Sequence, residues 1–242
     1  MKRKQIDFRL QEAGCLIYAA DRNFGGEAFT RLDDFFGGKR GLQSLVRRGA
    51  IVPMSLYQDD GYAVRVCLGG ELTREEKNEW TSCVSWRLNL ESGKMVVSGV
   101  IPEDDELSDF SDAENGGDYE LGCVVEVPPG EYKVVVRSYP PNDLAGGWLR
   151  IEKPETFRIG FGKSDSLMLT REKPLEYFRR TRPDETPPDW IAEGYEDGDF
   201  LDFLIHLTPL GGDLTEPELE PDGCLVWQYR QPEICPVGIR LE

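Results

Sequence analysis

The amino-acid sequence predicts an all-β protein with a few short helices, folded as an antiparallel β-sandwich or a jelly-roll-like relative of one. Three observations carry this expectation. Apolar residues recur with period 2 along most of the chain, turn residues punctuate these runs, and helix start signals are confined to three short stretches. With 242 residues, 39% hydrophobic and 10% aromatic, the chain can bury a sizeable core in one large β domain or two small ones.

In chain order, Ile6, Phe8 and Leu10 alternate with polar neighbours, and "GCLIYAA" follows as an apolar run. "GLQSLVRR" has room for two helical turns, and "GYAVRVCLGG" puts Tyr62, Val64, Val66 and Leu68 on one strand face. "TREEKNEW" opens with Thr73 and has Glu76 three residues on, a capping-box signature. "CVSWRLNL" and "KMVVSGVI" flank Glu91-Ser92-Gly93 and predict a β-hairpin. "YELGCVVEV" and "EYKVVVRSY" flank Pro128-Pro129-Gly130 and predict a second hairpin, closed by a type II turn. There Pro129 presets φ, and Gly130 supplies the positive φ. "KPLEYFRR" carries Pro174 where a first helical turn tolerates it. "ETFRIGFG", "DFLDFLIHLTP", "CLVWQYR" and "VGIRL" complete the expected strands.

An internal echo links "IVPMSLYQDDGYAVRVCLGG" with "VEVPPGEYKVVVRSYPP". It divides the chain into two similar β units, residues 1–102 and 120–242, joined by an acidic linker or loop at 103–119. A single β domain is the alternative.

Charge is the most informative part of the composition. The net charge is −17, and it is unevenly spread: residues 1–50 carry 10 basic and 6 acidic side chains, residues 101–242 carry 13 and 32. Such a field repels nucleic acid and anionic membrane and attracts a basic partner. Glu103–Glu120 holds nine carboxylates and Asp184–Asp202 holds eight, neither with a Lys or Arg; "GGDLTEPELEPDG" holds five more. Acids interleaved with aromatics fit an interface in which carboxylates steer and rings anchor. The partner-binding candidates are Asp104, Asp105, Glu106, Asp109, Phe110, Asp112, Trp190, Glu193, Tyr195, Glu196 and Asp197. Taken singly, each of these aromatics fits a place in the core better than one at an interface.

Chemistry-bearing motifs are sparse. The acidic run 103–120 lacks the spacing of a calcium loop. His206 is the lone histidine, which excludes a multi-histidine zinc site. Cys15, Cys67, Cys83, Cys123, Cys224 and Cys235 are scattered without a C-x-x-C pair and fit buried thiols. "GKSDS" matches neither a nucleophile elbow nor a phosphate-binding loop. Arg179, Arg180 and Arg182, and likewise Lys39, Arg40, Arg47 and Arg48, form basic clusters that fit pairing with the chain's own acids. No catalytic residue, metal or cofactor is expected, and the sequence leans away from an enzyme. No run spans a membrane, and the charged start "MKRKQIDFRL" lacks a signal-peptide core, which predicts a cytoplasmic protein. The expected function is non-enzymatic: an inhibitor or immunity-type protein capturing a basic protein, such as a nuclease toxin. The alternatives are a carbohydrate-binding or carbohydrate-processing sandwich with paired carboxylates, and an accessory module that stabilises an assembly.

Overall fold

Alternation sorts the strand residues onto two faces, as expected. A computed structural model describes residues 2–11, 16–22, 40–56, 60–99, 111–112, 121–141, 173–192 and 199–241; residues 111–112 are described in their backbone alone. Among them the strands are β1 (Lys4–Gln11), β2 (Leu16–Asp21), β3 (Ile51–Ser55), β4 (Gly61–Leu68), β5 (Ser82–Leu90), β6 (Lys94–Ser98), β7 (Ser111–Asp112), β8 (Gly122–Glu126), β9 (Gly130–Ser138), β10 (Phe203–Pro209) and β11 (Gln228–Tyr229). The helices are α1 (Arg40–Arg47), α2 (Arg74–Asn78), α3 (Pro174–Thr181) and α4 (Asp189–Ala192). The all-β expectation holds.

Two sheets stack on a shared core. Sheet A runs β1-β4-β10-β9-β5-β11 and sheet B runs β3-β2-β6-β8-β7. Phe8, Val66, Val84, Val134 and Ile205 of sheet A meet Ile17, Val52, Met95 and Val125 of sheet B in one hydrophobic cluster. Burying each such side chain fully contributes about 1.5–3 kcal/mol. β2 is buried along its whole length, which explains why "LIYAA" reads as a continuous apolar run. Two ladders depart from a purely antiparallel sandwich: β10 runs parallel to β4, and β7 runs parallel to β8.

Neither predicted hairpin forms. β5 lies in sheet A and β6 in sheet B; β8 lies in sheet B and β9 in sheet A. Each turn therefore carries the chain across the core as an arch. The arches stack, because β5 pairs with β9 and β6 with β8. Val127 donates its N–H to the Gly93 carbonyl at 3.0 Å. Gly93 has φ 72°, and a Cβ there would lie 3.0 Å from the Val127 oxygen, so glycine is required twice over. Gly130 has φ 156° and pairs with Leu90 as the first residue of β9, far from the φ of about +80° that a type II turn needs.

Both sheets contain strands from residues 1–102 and from 120–242, paired directly where β4 lies beside β10, β5 beside β9 and β6 beside β8. The segment 103–119 therefore does not separate two sheets. α1, α2 and α3 match their sequence signals, whereas α4 (Asp189–Ala192) was not expected. Thr73 Oγ1 accepts from Glu76 N–H at 3.2 Å, and Glu76 returns a carboxylate oxygen to Thr73 N–H at 2.8 Å. Pro174 occupies the first turn of α3. The strand expected at "DFLDFLIHLTP" begins only at Phe203, and Leu201 joins Leu204 in a smaller cluster on the outer side of sheet A. "CLVWQYR" reduces to the two residues of β11, and "VGIRL" to one bridge, Phe200 with Arg240. "ETFRIGFG" and Cys15 lie outside the described residues. Cys67, Cys83, Cys123, Cys224 and Cys235 form no disulfide. No helix among the described residues is long and apolar enough to cross a membrane.

Candidate functional site

Of the three acidic runs, the third is described in full. Its backbone is pinned: Glu220 N–H donates to Cys224 O at 2.8 Å, Val226 N–H to Glu218 O at 3.1 Å, and Leu225 N–H to Pro53 O of β3 at 3.2 Å. Leu214 and Leu219 pack on the main core, so the segment is held while its polar side chains point out. Asp213, Glu216 and Glu218 are exposed. Glu216 pairs with Arg47 at 2.8 Å, whereas Asp213, Glu218 and Glu220 have no cation within 4.0 Å among the described residues. Burial, reinforced by the Asp222 and Glu218 carboxylates, pushes the Glu220 carboxyl up from its ordinary range. Like charges are therefore crowded here and left uncompensated.

The second run is partly neutralised by residues outside it. Arg182 holds Glu185 at 2.9 Å, and an Asp202 carboxylate oxygen accepts Ala63 N–H at 2.7 Å. Trp190, in α4, is 7% exposed and packs with Tyr177, Phe178, Ile191 and Phe200 in a second core, its indole N–H donating to Val237 O at 3.3 Å. It is a core residue in this conformation, as an interleaved aromatic can be. Asp112 lies on β7. Asp104, Asp105, Glu106, Asp109, Phe110, Glu193, Tyr195, Glu196 and Asp197 lie outside the described residues.

A cleft of about 790 Å³ separates α2 from α3 and the C-terminal segment, with Arg74, Glu79, Arg182, Glu185 and Ile234 on its walls. Its central acid is already engaged: Glu79 accepts from Arg182 at 3.0 Å and from Val237 N–H at 2.6 Å. Burial pushes the Glu79 carboxyl up, and those partners pull only part of the way back. Arg182 thus ties down both Glu79 and Glu185, which leaves neither as an unengaged general base. Among the described residues no three His, Cys, Asp or Glu side chains gather into a metal-binding group.

The outer face of sheet A holds two arrangements that sequence reasoning missed. At the β1–β4 edge, Glu76 is 1% exposed and receives Arg3 at 2.6 Å and Arg65 at 3.3 Å, while Arg65 also takes Asp7 through two hydrogen bonds of 2.8 Å. Burial pushes the Glu76 carboxyl upward, but hydrogen bonds from Arg3, Thr73 N–H and Arg65 outweigh it and hold it below the usual carboxylate range. Toward β5, Arg87, Lys133, Arg137 and His206 share the same outer face. Their alternation within "EYKVVVRS" and "SCVSWRLNL" was visible in the sequence, but their convergence depends on a pairing that was not.

His206 is half-buried on β10; burial lowers its pKa and Arg137 adds to that, while the Gly69 and Gly70 backbone opposes it.

No known family profile matches the chain, and no curated protein matches it. Two solved structures are similar. One, described as crocagin biosynthetic gene J, is 17% identical with a TM-score of 0.43 and covers 86% of this chain and 99% of its own. The other is ComJ from Bacillus subtilis, described as an inhibitor of the DNA-degrading activity of NucA. It is 7% identical with a TM-score of 0.36, covering 58% of this chain and 86% of its own. Likeness this loose carries no argument about function.

Proposed function

We propose that the chain is a non-enzymatic cytoplasmic binding protein that captures a basic protein through an acidic surface, as an inhibitor or immunity-type protein does. The supporting observation is uncompensated negative charge on a pinned scaffold: Glu218 and Glu220 crowd together beside Asp222, neither with a cation within 4.0 Å among the described residues, while the backbone of the segment is fixed to β3. Charges held in place steer a partner without the ordering cost that a floppy tail incurs. The acid-only runs 103–120 and 184–202 extend the same sign. A nuclease-type toxin has the matching chemistry, because an enzyme that holds DNA presents a cationic groove. ComJ is described as inhibiting such an enzyme, but the proposal stands on charge and not on that likeness.

The test is affinity capture on the immobilised full chain, followed by kinetics with the purified partner at several salt concentrations. A stoichiometric basic protein is expected, with an on-rate that falls steeply between low and physiological salt. Neutralising Asp213 and Glu218, or Asp104, Asp105, Glu196 and Asp197, should slow association more than it speeds dissociation. An on-rate indifferent to salt and to both sets of substitutions would leave the acidic runs as a solvated coat.

A further inference from the structure

Register on sheet A defines a grid of nine outward-facing positions on β10, β9 and β5. Its rows are Thr208–Lys133–Arg87, His206–Val135–Ser85 and Leu204–Arg137–Cys83. Three are permanent cations and none is an acid. In a chain with 45 Asp and Glu, Arg87, Lys133 and Arg137 nevertheless have no carboxylate within 4.0 Å among the described residues. Moreover, Arg137 Nε and Nη1 and His206 Nε2 are buried without any hydrogen-bond partner; Arg87 leaves its Nε unpartnered too, although its Nη2 donates to the Arg47 carbonyl and the guanidinium lies over the Trp86 ring. A buried guanidinium donor with no acceptor is costly, and native proteins rarely leave one so. Arg230 adds a further fixed cation beside Cys83, lying 3.6 Å over the Trp80 ring and donating to Trp80 and Asn78 carbonyls.

From this geometry we propose that the outer face of sheet A carries a binding site for a small phosphate-type oxyanion, centred over Val135 and held by Lys133 and Arg137. These two residues lie two positions before and after Val135 on one strand, so their Cα atoms are about 13 Å apart and their long side chains can converge above it. Ser85 and His206 flank the same point from β5 and β10. A tetrahedral oxyanion brings more acceptor oxygens than a carboxylate, which suits the number of orphaned donors. An anion there would also offset the field of Arg137, which lowers the His206 pKa together with burial. The ligand is small because a polyanion such as nucleic acid meets the net charge of −17 over its whole length, whereas a single phosphate inside the grid feels mainly cations within one Debye length, about 8 Å.

Inorganic phosphate is the probe, with thermal melts of the full chain in phosphate against sodium chloride at matched ionic strength. Wild type should gain about 3 °C or more once phosphate reaches roughly ten times its Kd. Arg137→Gln should remove the gain, Lys133→Gln should weaken phosphate binding about tenfold in a titration, and Arg47→Gln, outside the grid, should leave it intact. If Arg137→Gln does not fold, Lys133→Gln and Ser85→Ala decide the matter alone. Equal melts in phosphate and chloride, a gain that survives both grid substitutions, or binding of a short oligonucleotide without any response to phosphate would overturn the proposal.

Discussion

Arg65 and Arg137 stand in one cross-strand row on the same face of sheet A, with Leu204 of β10 between them. Around Arg65 every arm has an answer: Asp7 takes two hydrogen bonds, Glu76 a third, and Arg3 and the α2 cap converge on the same carboxylate. Around Arg137 two donor nitrogens have none. The residue type, the sheet and the burial are alike, so the difference lies in what the neighbouring strand supplies. β1 brings Asp7 and α2 brings Glu76, whereas β5 brings Cys83 and Arg87. The first site spends its charge on holding the N-terminal strand and α2 to the sheet, and the second leaves its charge available.

Three sets of substitutions would break or sharpen this contrast. The largest effect is expected from Glu76→Gln, which strips one buried carboxylate from two arginines and should lower unfolding stability by about 3 kcal/mol. It would appear as a lower denaturant midpoint at unchanged slope. This change should also depend on pH. The folded carboxyl is held below its ordinary range, so its contribution is complete above the unfolded value of about 4.3 and is lost as pH falls through the folded value. The gap between wild type and variant should stay constant from neutral pH to about pH 5 and close below it; a constant gap down to pH 2 would contradict the assignment. Next, Arg65→Met should cost about 2 kcal/mol through lost charged hydrogen bonds, while Arg137→Met in phosphate-free buffer should cost nothing or raise the melting temperature, because it removes an unanswered charge. Equal losses at the two positions would erase the contrast. Smallest of all, Glu216→Ala breaks a pair whose side chains are 62% and 64% exposed, and should shift stability by less than about 0.5 kcal/mol.

Period 2 made the faces legible and the sheets illegible. Tyr62, Val64 and Val66 entered the core as their alternation required, and the Thr73–Glu76 signature gave α2 its cap. Yet Glu91-Ser92-Gly93 reads the same whether β6 folds back beside β5 or crosses to the opposite sheet. Alternation says which residues face inward and is silent on which sheet receives them. The same gap hid the cationic grid, since Lys133, Arg87 and His206 are far apart in sequence and meet only through register. Acid runs were visible as composition, but composition did not say that Arg182 would take Glu185 or that Asp202 would serve the β4 backbone. Trp190 looked like an anchor among acids because its burial is supplied by elements outside its own run, α3 just upstream and Val237 much further along the chain.

The stacked arches also bear on how quickly the chain reaches this state. A hairpin lets two strands close over a few residues, but here β5 and β6, though joined by a three-residue turn, go to different sheets, as do β8 and β9. Each must wait for a partner far along the chain: β5 for β9, β4 for β10. Loop closure therefore precedes most of the stabilising contacts, and a fold dominated by such non-local pairing is expected to refold on the millisecond-to-second scale rather than in microseconds.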